Sequence, residues 1–115
     1  MIFVTGPLCA GKQETVCALL GWDAGIFSQR GIRDVQDLAA SAEDLTALAD
    51  RLSRYDVVIA TEIGGGVVPT DAGQRQAREA AGRLACLLAA RADTVLRVCC
   101  GLPQLLKGEL PCASN

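Results

Sequence analysis

Gly6-Pro7-Leu8-Cys9-Ala10-Gly11-Lys12 spaces two glycines and a lysine as G-x-x-x-x-G-K. That spacing makes a phosphate-binding loop. The backbone N–H groups of such a loop, and of the first turn of the helix after it, converge on one point as a nest. The helix dipole favours negative charge there, and the lysine ammonium reaches the terminal phosphates. Gly11 lets the backbone approach a ligand without a Cβ in the way. The position after the lysine departs from the motif: Gln13 stands where a Ser or Thr hydroxyl normally holds Mg²⁺, and an amide is a poorer ligand for a hard cation. The expected ligand is therefore GTP or ATP held by residues 6–13, with weakened Mg²⁺ dependence. No resident metal site is expected. Cys9 has two readings, a thiol activated at an electropositive helix N-terminus or an inert small side chain.

The loop needs a strand before it and a helix after it, and the flanking residues supply both. Residues 2–5 form a short apolar β-branched run that ends at Gly6-Pro7, which reads as a buried strand. Residues 12–20 carry Val16, Leu19 and Leu20 at helical spacing, with Gly21 as the stop. Ile26-Phe27 reads as a second short strand. Residues 41–54 read as a helix opened by Ser41, with Asp44 three residues on, and carrying a stripe of Leu45, Leu48, Ala49 and Leu52.

Residues 56–61 form a continuous apolar run, the pattern of a strand covered on both faces. It runs into Glu62 and the glycines 64–66. Residues 71–92 read as a long helix with Ala77, Ala81, Leu84 and Leu88 on one face and Glu79 one turn before Arg83, placed for an ion pair. Residues 94–100 read as a further strand, Gly101-Leu102-Pro103 as a break, and residues 111–115 as a flexible tail beyond a single domain of residues 1–110. Alternating strands and helices predict a three-layer α/β domain of the P-loop NTPase kind with a mostly parallel sheet. In such folds ligands lie at the carboxyl ends of the strands, where Thr5-Gly6 and Thr61-Glu62 fall.

Composition narrows the partners. The chain has 115 residues, a formal charge of −2, hydrophobic residues at 50% but aromatics at only 3%. The core must then be aliphatic, and no basic footprint marks a nucleic-acid binder. The opening residues lack the cationic and apolar pattern of a signal or a span, so a cytoplasmic protein without a membrane span is expected. Six cysteines occur without a C-x-x-C pair and without a single histidine, which points to free, buried thiols rather than disulfides or zinc.

The run Val57-Val58-Ile59-Ala60-Thr61-Glu62-Ile63-Gly64-Gly65-Gly66-Val67-Val68-Pro69, then Arg78-Glu79-Ala80-Ala81-Gly82-Arg83, then Leu88-Ala89-Ala90-Arg91-Ala92-Asp93-Thr94-Val95 resembles the adenosylcobinamide kinase / adenosylcobinamide-phosphate guanylyltransferase family. The likeness spans residues 1–20 and 55–102. It implies a trimeric protein of cobalamin assembly that phosphorylates the cobinamide side-chain hydroxyl with a nucleoside triphosphate and then adds GMP.

The chain departs from the family pattern at several points. The family carries the guanylyl group on a histidine, and this chain has none. Its middle region is short, and the family's Asn-Gln pair is here Ala85-Cys86. The resemblance therefore implies kinase-type binding without guanylyl transfer, or a catalytically silent nucleotide- or corrinoid-binding regulator. In the kinase reading Lys12 supplies charge, and Glu62 holds a Mg²⁺-bound water or accepts the hydroxyl proton. Glu62 read alone is a solvated loop carboxylate or a ligand-facing one. Arg78 and Arg83 read as a solvated helix face or as ligand contacts.

Overall fold

A computed structural model describes residues 1–62 and 72–112. The elements run β1 (Ile2–Gly6), α1 (Lys12–Leu20), α2 (Ala24–Arg30), β2 (Gly31–Ile32), α3 (Gln36–Ala39), α4 (Leu45–Leu52), β3 (Val57–Thr61), α5 (Ala72–Arg91), β4 (Thr94–Cys99) and β5 (Leu102–Lys107). The five strands form one sheet in the order β2-β3-β1-β4-β5. Every pairing is parallel except β4 with β5. The expected α/β architecture with a mostly parallel sheet is what the chain adopts.

Period-two alternation along the strands divides the core between the two faces of the sheet. Phe3, Val58, Ala60 and Val95 join Leu48, Leu52, Leu84 and Leu88 from α4 and α5 on one side. Val4, Val57, Ile59, Leu96 and Val98 join Val16 of α1 and Phe27 of α2 on the other. Helices thus cover both faces, so the central strands read as unbroken apolar runs. The apolar stripe foreseen on α5 faces inward, with Ala81, Leu84 and Leu88 buried. Helix α1 ends as expected at Gly21, which adopts φ 70° and donates its N–H to the Cys17 carbonyl.

Five expectations are corrected. Ile26 and Phe27 belong to helix α2, because the Asp23 carboxylate accepts the Ile26 N–H at 2.8 Å and caps a helix there. The edge strand is instead Gly31–Ile32, too short to leave a periodic signal. Ser41 does not open α4: its hydroxyl turns back to the Leu38 carbonyl at 3.5 Å. Asp44 is the cap, accepting from Thr46 N at 2.9 Å and Ala47 N at 3.2 Å, and the short α3 precedes it.

Gly101-Leu102-Pro103 does not break the sheet. Cys100 and Gly101 have φ 53° and 72°, the left-handed pair of a two-residue hairpin turn whose twist suits its strands, and β5 continues as an edge strand where proline is tolerated. The cysteines are free as expected but not buried: Cys17 and Cys99 are partly covered, and Cys9, Cys86, Cys100 and Cys112 are exposed on turns and surfaces. Glu79 and Arg83 stand exposed and make no ion pair among the described residues, since such a surface pair gains little over hydration.

Candidate functional site

The carboxyl ends of β1 and β3 lie side by side, and the Glu62 N–H reaches the Gly6 carbonyl at 2.8 Å. Gly6 has φ 151°, and a Cβ built on it would stand 2.2 Å from the Val98 carbonyl oxygen of β4. Only glycine lets the chain leave β1 against its neighbour in this way. The loop then passes through Cys9 at φ 58° and Gly11 at φ 80°, left-handed residues of the kind that turn successive N–H groups inward. Gly11 caps α1, and its carbonyl accepts the Thr15 N–H at 2.9 Å.

From the other side the β4–β5 turn braces the loop. Gly101 donates its N–H to the Ala10 carbonyl at 2.8 Å, and the Thr15 hydroxyl reaches the Gly101 carbonyl at 3.3 Å.

Lys12 is 8% exposed, the one buried charged residue among those described. Its ammonium donates to the Pro7 carbonyl at 2.7 Å, so the charge sits within the curve of the loop. The cavity here has a volume of about 150 Å³ and is lined by residues 8–14 together with Arg33, Asp34, Ile59 and Thr61. A drug-sized ligand needs a pocket of roughly 300–1,000 Å³, so this one is sized for a phosphate group rather than a whole nucleoside. A wider cavity of about 700 Å³ opens beside β2, lined by Arg30, Ile32, Leu52 and Tyr55 among others, and shares no residue with the loop.

Gln13 is occupied: its side-chain oxygen accepts from Arg33 Nη1 at 3.1 Å. With a guanidinium already beside this oxygen to repel a second cation, and an amide being a poor ligand for a hard cation, Gln13 does not fit the role of a Mg²⁺ ligand. Among the described residues no group of three or more Cys, Asp or Glu side chains is placed to hold a metal ion.

Glu62 sits at the end of β3 and is gripped by Arg97 of β4, with Nε to Oε1 at 2.7 Å and Nη2 to Oε2 at 3.0 Å. This two-pronged pair, reinforced by the positive charge of Lys12, holds the Glu62 carboxyl below the usual carboxylate range, against a smaller opposing effect of burial. The same contact raises the Arg97 guanidinium. Thr61 donates its N–H to the Gln36 side-chain oxygen at 2.9 Å, so a side chain continues the ladder where β2 stops.

The fold therefore brings together the loop, Lys12, Gln13 and the end of β3. Arg83 lies apart, on a shallow depression with Thr46, Glu79, Gly82 and Cys86, and Arg78 is partly covered on the same helix. Glycines 64–66 lie outside the described residues. Sequence reading missed Arg33, Gln36, Arg97 and Gly101. Arg97 was detectable as a lone charge in an apolar strand, but nothing local marks Arg33.

A family model described as cobinamide kinase / cobinamide phosphate guanyltransferase matches residues 13–106. The chain belongs to that cobinamide kinase / guanyltransferase family. Membership implies a cobinamide kinase or guanyltransferase role in cobalamin biosynthesis, with a nucleotide as co-substrate. The match contains all three runs of the resemblance and begins at Gln13, so the glycine loop rests on its own motif and geometry. No curated protein matches the chain. No helix among the described residues is long and apolar enough to cross a membrane.

Proposed function

We propose that this family member is a cobinamide kinase: it binds the triphosphate of GTP or ATP at Gly6, Pro7, Leu8, Cys9, Ala10, Gly11, Lys12 and Gln13 and passes the γ-phosphoryl group to a corrinoid side-chain hydroxyl. The observation that carries the reading is the Lys12 ammonium, buried in the curve of a left-handed glycine loop at the carboxyl ends of β1 and β3. Phosphoryl transfer asks mainly for positioning and charge stabilisation, since bond formation to the acceptor lags bond breaking. Lys12 supplies positive charge at the leaving oxygens. Glu62, kept ionised by Arg97, is a weak proton acceptor but a good hydrogen-bond acceptor, so its part is to orient the hydroxyl rather than to strip its proton.

Guanylyl transfer through a phosphohistidine-type intermediate has no nucleophile in a chain with no histidine. We place the protein in the cytoplasm, as a homo-oligomer whose contacts use Leu102 and Leu106, exposed on β5. Incubation with γ-labelled and, separately, α-labelled GTP tests the reading. The expected result is γ-label on cobinamide and no α-label on protein or corrinoid. α-label on corrinoid phosphate would restore the second activity. Nucleotide binding without any transfer would favour the silent regulator, for which the occupied Gln13 amide is the supporting observation.

A further inference from the structure

We propose that Arg33, anchored by Gln13, takes the place of the divalent cation at this loop and pairs directly with the terminal phosphate oxygens of the nucleotide. The proposal rests on the reading of residues 6–13 as a nucleotide phosphate site and adds to it the source of the second positive charge.

The position after the loop lysine is where a hydroxyl ordinarily presents a metal to the outer phosphates. Here that position presents a guanidinium, because the Gln13 side-chain oxygen accepts from Arg33 Nη1 at 3.1 Å. Arg33 and Lys12 line the same small cavity, so two cations flank the space in which a phosphate would lie. A guanidinium has five N–H donors in a planar fork that matches two phosphate oxygens. Gln13 takes one, and Asp34 approaches Nε only to 3.7 Å. The others are available to a ligand.

The arginine is also held from below. It follows β2 directly, whose Gly31 and Ile32 are in register with Val57 and Val58 of β3. Asp34 turns the chain through φ 58°, and the Val35 N–H is fixed on the Ile59 carbonyl at 3.3 Å. Its side chain is 65% exposed, as a group must be if it is to meet an incoming ligand. The carboxylates nearby do not cancel the field: Glu62 is taken by Arg97, and Asp34 and Glu14, which line the same cavity, are exposed and so well screened.

The test is calorimetric titration of GTP and ATP into the full chain with Mg²⁺ and with EDTA. The proposal expects wild-type affinity to differ less than about threefold between the two conditions. Arg33→Ala should weaken binding in EDTA by roughly 10–100-fold, the range for charge-assisted hydrogen bonds, and Arg33→Lys should restore part of the loss. Gln13→Ser, which frees the metal position and releases the arginine, should make binding at least about tenfold tighter with Mg²⁺ than with EDTA. Unchanged thermal melting of Arg33→Ala would separate lost contact from lost fold. Wild-type binding that vanishes in EDTA, or Arg33→Ala binding like wild type there, overturns the proposal and leaves the loop reading intact. No nucleotide binding in either condition overturns both.

Discussion

At the scale of single residues, the site is defined by what each charge is tied to. Glu62 and Arg97 test this. With its folded pKa held below the ordinary value of about 4.3, Glu62 contributes stability that is present above that value and is lost as pH falls through the lowered one. Both partners are more than a third exposed, so the contribution is small. Replacing Arg97 by Gln should move the Glu62 carboxyl up towards its ordinary range and make stability less sensitive to acid below about pH 4. Carboxyl-carbon NMR titration reads this directly, and an unmoved Glu62 would show that the pair does not set its charge.

Gly6→Ala is the sharper lesion. A methyl meeting the Val98 carbonyl should cost about 3 kcal/mol by forcing β1 from β4, seen as a large drop in Tm. A near-neutral result would mean that the strand end can shift. Gly6 and Lys12 were legible because their motif is local. Arg97 left one signal, a lone charge in an apolar strand, and Arg33 left none; they reach Glu62 and Gln13 across 35 and 20 positions of sequence, and only the fold brings them there.

Among the elements, strands and helices with strong periodicity were readable, and short ones set by turn chemistry were not. Helix α1 and strand β3 follow from apolar spacing. Helix α3 and strand β2 are only four and two residues long and leave no pattern to find. The start of α4 was misplaced because Asp44 was read as the helix's third residue when its carboxylate is the cap. The difference is measurable: Asp44→Ala should cost about 1 kcal/mol of stability in chemical denaturation, whereas Ser41→Ala should leave stability within about 0.5 kcal/mol. Equal losses would restore Ser41 as the helix start. The β4–β5 hairpin escaped sequence reading because a cysteine in a left-handed turn is uncommon, yet that turn carries the N–H that steadies Ala10 in the loop.

For the whole molecule, the order β2-β3-β1-β4-β5 places the loop-bearing strand at the centre and leaves both edges thinly guarded. On one side β2 is too short to offer much of a template. On the other, β5 is exposed throughout, with Leu102 at 71% and Leu106 at 53%. A six-residue edge with exposed leucines invites pairing with another chain. The Leu102→Lys, Leu106→Lys double variant should sediment as a monomer under conditions where the wild type is oligomeric. An unchanged sedimentation coefficient would place the contact elsewhere.

Lys12 bears a further consequence. A lysine side chain gives up as much as about 1.5–2 kcal/mol of rotamer freedom when it is immobilised, and here its burial and its bond to Pro7 impose that loss when the chain folds. Nucleotide would then meet an ammonium that is already aimed, and one phosphate oxygen need only join the carbonyl among its three N–H donors. Preorganisation of this kind shifts the entropic cost from binding to folding, so the loop holds its ligand more tightly at the expense of the stability of the free protein.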